Sequence, residues 1–539
     1  MTGPRAASGR RALDRFDAAA LAALALLSVA VLAGLLLRVW TKGGLVTGSD
    51  GYLVVDQLQY LNWLRQAGDH VLVGNLYDLA PGPRDFLHPG VLISGLLHRL
   101  GLGLAASYLA WKPVAVVALF AGARLYVRRF LNRTDDRRLA LVVALFAASP
   151  VAALVGWSGI GNAHQRFQFD FLGNEMWPGN YLWGYLFTAV AVALVPLGLL
   201  AYERGRSDGR RAMLACAAGA GLIASWFQPW QGATFALILV ASELIASARE
   251  RHSSVRTLRT LVPPLAATAA PLVYYLVLSK RDSSWALADR ANDFPRWPWW
   301  ITVAVLAPLA IPALFAYAQP ARDFGSVALR AWPVATLLVF YQPAGTFPFH
   351  AFQGLALPLT VLAVVAVRAR LGDRSLPVVG ALACATILIV PGTAYQVDQV
   401  HSAINKGLQA HFLTRGEHDA LVYLDRLHEP GGVLAPAYSG TLVPAYTGRE
   451  TWVGAGSWSP SFGLRNEYAD RLFAGRLSQS QAQALVRLSG ARFLLSDCHG
   501  RADINRLVAG FTDPPRRFGC ATVYRVRPPF DRRPPRPAA

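Results

Sequence analysis

Residues 18–37 read "AAALAALALLSVAVLAGLLL", and residues 54–70, close behind, read "VVDQLQYLNWLRQAGDH". The first run is uncharged over about 20 residues, enough at about 1.5 Å each to cross a hydrocarbon core of roughly 30 Å. Basic residues precede it, as in a cleaved signal peptide, but no small-x-small cleavage site follows and "LLLRVWTK" reads as an interfacial anchor. It is therefore read as a first membrane span. In the second stretch Leu58, Leu61, Leu64 and Ala67 recur at helical spacing, which predicts a short helix on the membrane surface with its polar face free.

The rest of the chain extends this reading. Of 539 residues 54% are hydrophobic and 16% charged, and a mean hydropathy of +0.33 is too apolar for a soluble protein of this size. Further apolar runs fall near 102–122, 139–156, 181–202, 212–226, 231–247, 261–279, 297–318, 331–341, 354–367 and 376–394, which makes about eleven spans. Runs 212–226 and 331–341 are short, as tilted, broken or re-entrant helices are. The fold class expected is mainly α: a polytopic membrane helical bundle over residues 1–394, with a long first external loop at 39–101. A small external α/β domain is expected over 395–526, and the Pro/Arg-rich tail 527–539 is expected to be disordered.

A net charge of +20 raises the question of a nucleic-acid partner, and the distribution of the charge answers it. The N-terminus and alternate short loops (1–16, 123–138, 203–211, 248–260, 319–330 and 368–374) carry 23 Lys and Arg, whereas the opposite short loops (157–180, 227–230, 280–296 and 342–353) carry 5. This is the positive-inside pattern, so the N-terminus is expected in the cytoplasm and the C-terminal domain outside. No nucleic acid is needed.

In the C-terminal segment, "HDALVYLDRLHE" and "SQAQALVRLSG" have helical patterns, whereas "GGVLAPAYSGTLVPAYTGRETWVGAG", "RFLLSD" and "CATVYRVR" read as strands. Cys216 and Cys384 lie in spans as packing residues, and Cys498 and Cys520 lie where oxidation is permitted, free or as one disulfide. The chain carries no internal repeat, no P-loop and no G-x-S-x-G. Charges within spans are few; Lys112 is the clearest and is read as snorkelling to the interface.

Asp56 heads a D-Q-x-x-Y pattern with Tyr60 a turn later. A carboxylate at the rim of a bundle suits a general base, and it equally suits a helix N-cap. Asp50, in "GSDGY", is a second acid whose neighbours favour a turn. The region 157–180 holds His164, Arg166, Asp170 and Glu175; the acids are candidate ligands for a divalent metal or helix caps. "SWFQPWQG" (225–232) and "FPFHAFQG" (347–354) close two helical hairpins. Their rings fit an aromatic belt, or sugar stacking with Gln228, Gln231, His350 and Gln353 bonding hydroxyls.

With "DQLQY" on a surface helix after the first span, and "LVPAYTGRETWVGAGSWSPSFGLRNEYADRLFAG" in the C-terminal segment, the sequence resembles the glycosyltransferase C (GT-C) superfamily. Gln57 stands where many members have a second acid. The resemblance implies an inverting transfer of a sugar from a polyprenyl-phosphate donor to an envelope glycan, lipid or protein on the outer face of a bacterial inner membrane. It implies that Asp56 is the base, with Tyr60, Arg65, His88, His164, Arg166, Gln228, Gln231 and His350 as substrate-binding candidates. Lys280 and Arg281 are further cations for the leaving phosphate, and Asp170 and Glu175 are metal candidates. The alternatives are a transporter or flippase, or a scaffold for envelope glycolipid assembly.

Overall fold

In a computed structural model the described residues are 13–528, except 52, 81, 251–253, 343–346, 373, 408 and 501. The expected tail lies almost wholly outside them. Among the described residues nine helices are long and apolar enough to cross a membrane, from Arg15–Lys42 to Val378–Lys406. Thr134–Phe146 and Pro150–Ser158, bent by 43° at a break, make a tenth, and the 17-residue apolar helix Arg211–Phe227 is shorter than a full span. All eleven predicted runs are thus helical. The run 331–341 is longer than it reads, because the helix begins at Phe324 behind an Asp323 capping box. The last long helix likewise continues to Lys406, past the boundary placed at 394.

Leu186–Asp208 is the central helix, and from Leu186 through Ala193 every side chain is buried. It packs on both Trp111–Phe130 and Arg211–Phe227. The basic loops gather at one end of the bundle, where acids cross-link the helices. Asp17 accepts from Arg124 at 2.7 Å and Arg128 at 2.8 Å, Arg129 reaches Glu203 and Asp323 at 2.6 Å, and Arg368 pairs with Asp136. The free cysteines Cys216 and Cys384 are exposed on the bundle's outer surface rather than packed in its core.

The other end carries the first loop, the region 157–185 and the C-terminal α/β domain. A four-stranded sheet orders Val433–Leu434, Phe493–Ser496, Ala521–Arg525 and Arg516–Phe518; the first pairing is parallel and the others antiparallel. Its core includes Trp452, Leu472, Phe473, Val486, Leu494 and Tyr524. Cys498 and Cys520 form a disulfide. Leu45–Val46 pairs antiparallel with Phe412–Leu413, tying the first loop to the start of this domain. The strand reading of 431–456 is corrected: after Val433–Leu434 the chain turns into short helices Ala437–Gly440 and Val443–Thr447, with Pro436 at the N-cap of one and Pro444 in the first turn of the other.

Candidate active site

The first-loop helix runs Val54–Ala67, and its polar face is buried rather than free. Asn62 Nδ2 donates to Gln59 Oε1 at 3.3 Å and Gln66 Nε2 to Asn62 Oδ1 at 3.1 Å, while Gln66 holds both backbone groups of Gly74 at 3.0 Å. These bonds lower the cost of burying the amides, although Gln59 Nε2 is buried without a hydrogen-bond partner among the described residues. The ladder fixes the helix and the loop that follows it.

Asp56 lies in the first turn and caps nothing: the N-cap is Leu53, without a side-chain bond. Instead its Oδ2 accepts from the Tyr185 hydroxyl at 2.7 Å. Asp56 is exposed while Val54, Gln57 and Leu58 around it are buried. Protein surrounds the carboxyl and raises its pKa above the usual range; Tyr185 and His350 oppose that rise and Glu175 adds to it. An exposed carboxylate so enclosed lines a cleft, and Tyr60 and Tyr77 lie within its field.

Facing it is a second cluster. Glu175 is buried, 3% exposed, and its Oε2 bonds His350 Nδ1 at 2.9 Å and accepts from Gln353 Nε2 at 2.8 Å. Gln231 Nε2 donates to the carbonyls of His350 at 2.8 Å and Gln353 at 3.0 Å, fixing the short 3-10 turn Pro348–Phe352. Gln228 Nε2 donates to Thr188 Oγ1 at 3.3 Å. Phe347 tilts onto the His350 ring at 4.6 Å.

No protein-family model matches the chain, and neither does any curated protein. Solved structures do. The mycobacterial arabinofuranosyltransferase AftD superposes with a TM-score of 0.55 over 96% of this chain and 40% of its own, at 15% identity. ArnT from Cupriavidus metallidurans, bound to undecaprenyl phosphate, gives 0.51 over 97% of this chain and 98% of its own, at 12% identity. The oligosaccharyltransferase AglB from Archaeoglobus fulgidus, with an inhibitory peptide and a dolichol-phosphate, gives 0.51 over 92% and 72%, at 13% identity. The fold is that of the GT-C glycosyltransferases.

Within this GT-C fold the sequence candidates separate. Asp56, Glu175 and His350 come together, Tyr60 lies near, and Gln231 supports the turn that carries His350. Arg65 points to the C-terminal domain, donating to Tyr446 O at 3.2 Å and pairing with Asp425. His88 is a buried N-cap whose Nδ1 accepts from Val91 N at 3.2 Å, and burial holds its pKa down to about 3, so it is neutral. His164 is exposed beside Gln168, and Arg166 donates to the carbonyls of Gly159 and Gly161 in its own loop. Lys280 and Arg281 are exposed. Asp170, raised to about 6 by burial, accepts from Gln396 Nε2 at 3.0 Å, on a different partner from Glu175.

Lys112 does not snorkel. Its Nζ pairs with Asp50 Oδ2 at 2.6 Å and donates to Ser28 O at 2.8 Å and Leu182 O at 2.7 Å, so the acid that reads as a turn and the lysine that reads as an anchor form one buried pair. Gln57, fully buried, accepts from Asp50 N at 3.0 Å and so turns away from Asp56. Tyr185 escapes sequence reading because it sits in "YLWGYLF", inside an apolar run.

Proposed function

We propose that this chain transfers a sugar from a polyprenyl-phosphate donor to an envelope acceptor at the outer face of a bacterial inner membrane, with inversion. On this reading the N-terminus is cytoplasmic and the cleft opens outward, where a lipid-borne donor and a water-borne acceptor meet. The observation that carries it is the cleft carboxylate Asp56, enclosed, bonded to Tyr185 and opposed by the Glu175–His350 pair. Its position on the first-loop helix of a GT-C fold supports the assignment.

Asp56 takes the proton of the acceptor hydroxyl as that oxygen attacks the anomeric carbon. The bond from that carbon to the phosphate oxygen breaks, and its electron pair leaves with polyprenyl phosphate. Attack from the face opposite the leaving group inverts the centre. A raised carboxyl pKa makes the ionised Asp56 a stronger base than an ordinary aspartate. Charge growing on the phosphate needs a partner, and His350, oriented by Glu175 through Nδ1, is the group placed to meet it. Asp56 and Glu175 repel one another across the cleft.

The test is release of free polyprenyl phosphate by purified protein from a panel of polyprenyl-phosphate sugars, with an envelope extract supplying acceptors. Wild type releases it, and Asp56→Asn falls by about 100-fold or more, the lower range for a lost general base. A folded wild type that releases none from any donor overturns the proposal.

A further inference from the structure

The Arg-rich end, opposite the cleft, contains a cavity of about 120 Å³ between the helices Arg15–Lys42, Trp111–Phe130 and Thr134–Phe146. One buried water needs roughly 10–15 Å³ by the same measure, so there is room for a group of several heavy atoms. Four arginines line it, Arg124, Arg128, Arg137 and Arg138, against two acids, Asp14 and Asp17. The wall therefore carries two positive charges in excess.

Where the acids are committed decides which charges remain. Asp17, 5% exposed, is taken by Arg124 Nε at 2.7 Å and Arg128 Nη2 at 2.8 Å. Asp14 caps the first helix by accepting from Asp17 N at 2.7 Å, and Arg138 approaches it only to 3.8 Å. Arg137 uses Nε on Leu131 O at 2.6 Å, which orients its guanidinium, and both its Nη groups make no hydrogen bond among the described residues. Arg138 lies over the Phe16 ring at 5.1 Å. Thr134 adds a hydroxyl and opens a helix that has no side-chain cap; of the two acids in its first turn, Asp136 is committed to Arg368 and Asp135 is exposed outside the cavity wall, so the first amides remain as donors.

Two pre-positioned guanidinium groups, a hydroxyl and an uncapped helix start form a receptor for a phosphate oxyanion, which guanidinium meets with two parallel bonds. The cavity sits at the ends of apolar spanning helices, with Val127 and Leu141 in its wall. That is the depth of lipid headgroups, and a basic pocket between spans suits an anionic one. We propose that this cavity binds the phosphate of an anionic phospholipid, a site separate from the cleft that would take the donor lipid.

The test is native mass spectrometry of the full chain purified in detergent and titrated with phosphatidylglycerol or phosphatidylcholine, with inorganic phosphate as competitor. Wild type is expected to retain phosphatidylglycerol at least about tenfold better, a difference of about 1.4 kcal/mol. Arg137→Gln/Arg138→Gln is expected to lose that preference, while Arg99→Gln, an exposed arginine outside the cavity, keeps it. If the double variant does not purify, Arg138→Gln, at a side chain 45% exposed, carries the same expectation in weaker form. Equal retention of the two lipids by wild type, or an unchanged preference in the arginine variants, overturns the site. Complete displacement by millimolar inorganic phosphate overturns the lipid assignment and leaves a site for a free anion.

Discussion

The hydroxyl of Tyr185 donates to Asp56 Oδ2 at 2.7 Å, joining residues 129 positions apart at the mouth of the central helix. A hydrogen bond to the ionised form favours that form, so Tyr185 holds down a pKa that burial pushes up. It also leaves Oδ1 as the oxygen available to an acceptor hydroxyl.

The first prediction follows from that sign. The rate with a saturating donor should rise with pH as Asp56 ionises, with the acid limb above the usual carboxylate range. Tyr185→Phe removes the bond that favours the carboxylate, so the limb moves to higher pH. Activity is then lost mainly at the acid end and largely recovered above it. A pH profile of polyprenyl phosphate release checks this; a limb that stays put or moves down shows that Tyr185 does not tune the base.

The second concerns Glu175 and His350, bonded at 2.9 Å. If His350 meets the leaving phosphate, His350→Gln should lower kcat by about 100-fold, the size expected for a lost oxyanion donor, with little change in donor KM. Glu175→Gln should lower it less, since Gln353 still contacts the side chain at that position. The double variant should be no worse than His350→Gln alone, because the two act as one unit. Additive losses would separate them.

How far the sequence carried these assignments depends on where each partner lies. The spans were legible because uncharged runs of that length have few other uses. The break at Ala147–Pro150 shows only in three dimensions, whereas the short helix Arg211–Phe227 is already legible as the short run 212–226. Asp56 was legible from its place after the first span. The burial of Gln59, Asn62 and Gln66 was not, because it depends on the fold of residues 71–76 and on the C-terminal domain hundreds of residues away. Tyr185 reads as one more aromatic in an apolar run until Asp56 is placed beside it. Asp50 and Lys112 are 62 positions apart, and each has a bland local explanation that only their pairing removes.

That pair gives the third prediction. Burial raises the Asp50 carboxyl to about 6 even with Lys112 beside it, so the ion pair depends on both partners. Lys112→Met should destabilise by about 3–5 kcal/mol by leaving a buried acid unpaired. Adding Asp50→Asn should recover much of that loss. Thermal unfolding in detergent checks both, and a single variant as stable as wild type would show the pair to be dispensable.

The fourth lies where two backbones meet behind the site. A Cβ on Gly51 would stand 2.4 Å from Gln57 Nε2 and 2.6 Å from the carbonyl oxygen of Trp183, and one on Gly184 would stand 2.3 Å from the same Gln57 nitrogen. Backbone cannot swing aside as a side-chain tip can, so Gly51→Ala must push the first loop away from the turn at 183–184. Those segments position Asp56 and Tyr185, and about 1 Å of misplacement can cost about 100-fold in rate. The variant should lose about 1–3 kcal/mol of stability through overpacking and a larger share of its activity. Gly463→Ala, in an open position of a C-terminal helix with nothing near its Cβ, should leave both unchanged. Comparing the two by thermal unfolding and product release separates a steric wedge behind the site from a general intolerance of substitution; equal behaviour would mean that the contact at Gly51 does not set the geometry of the cleft.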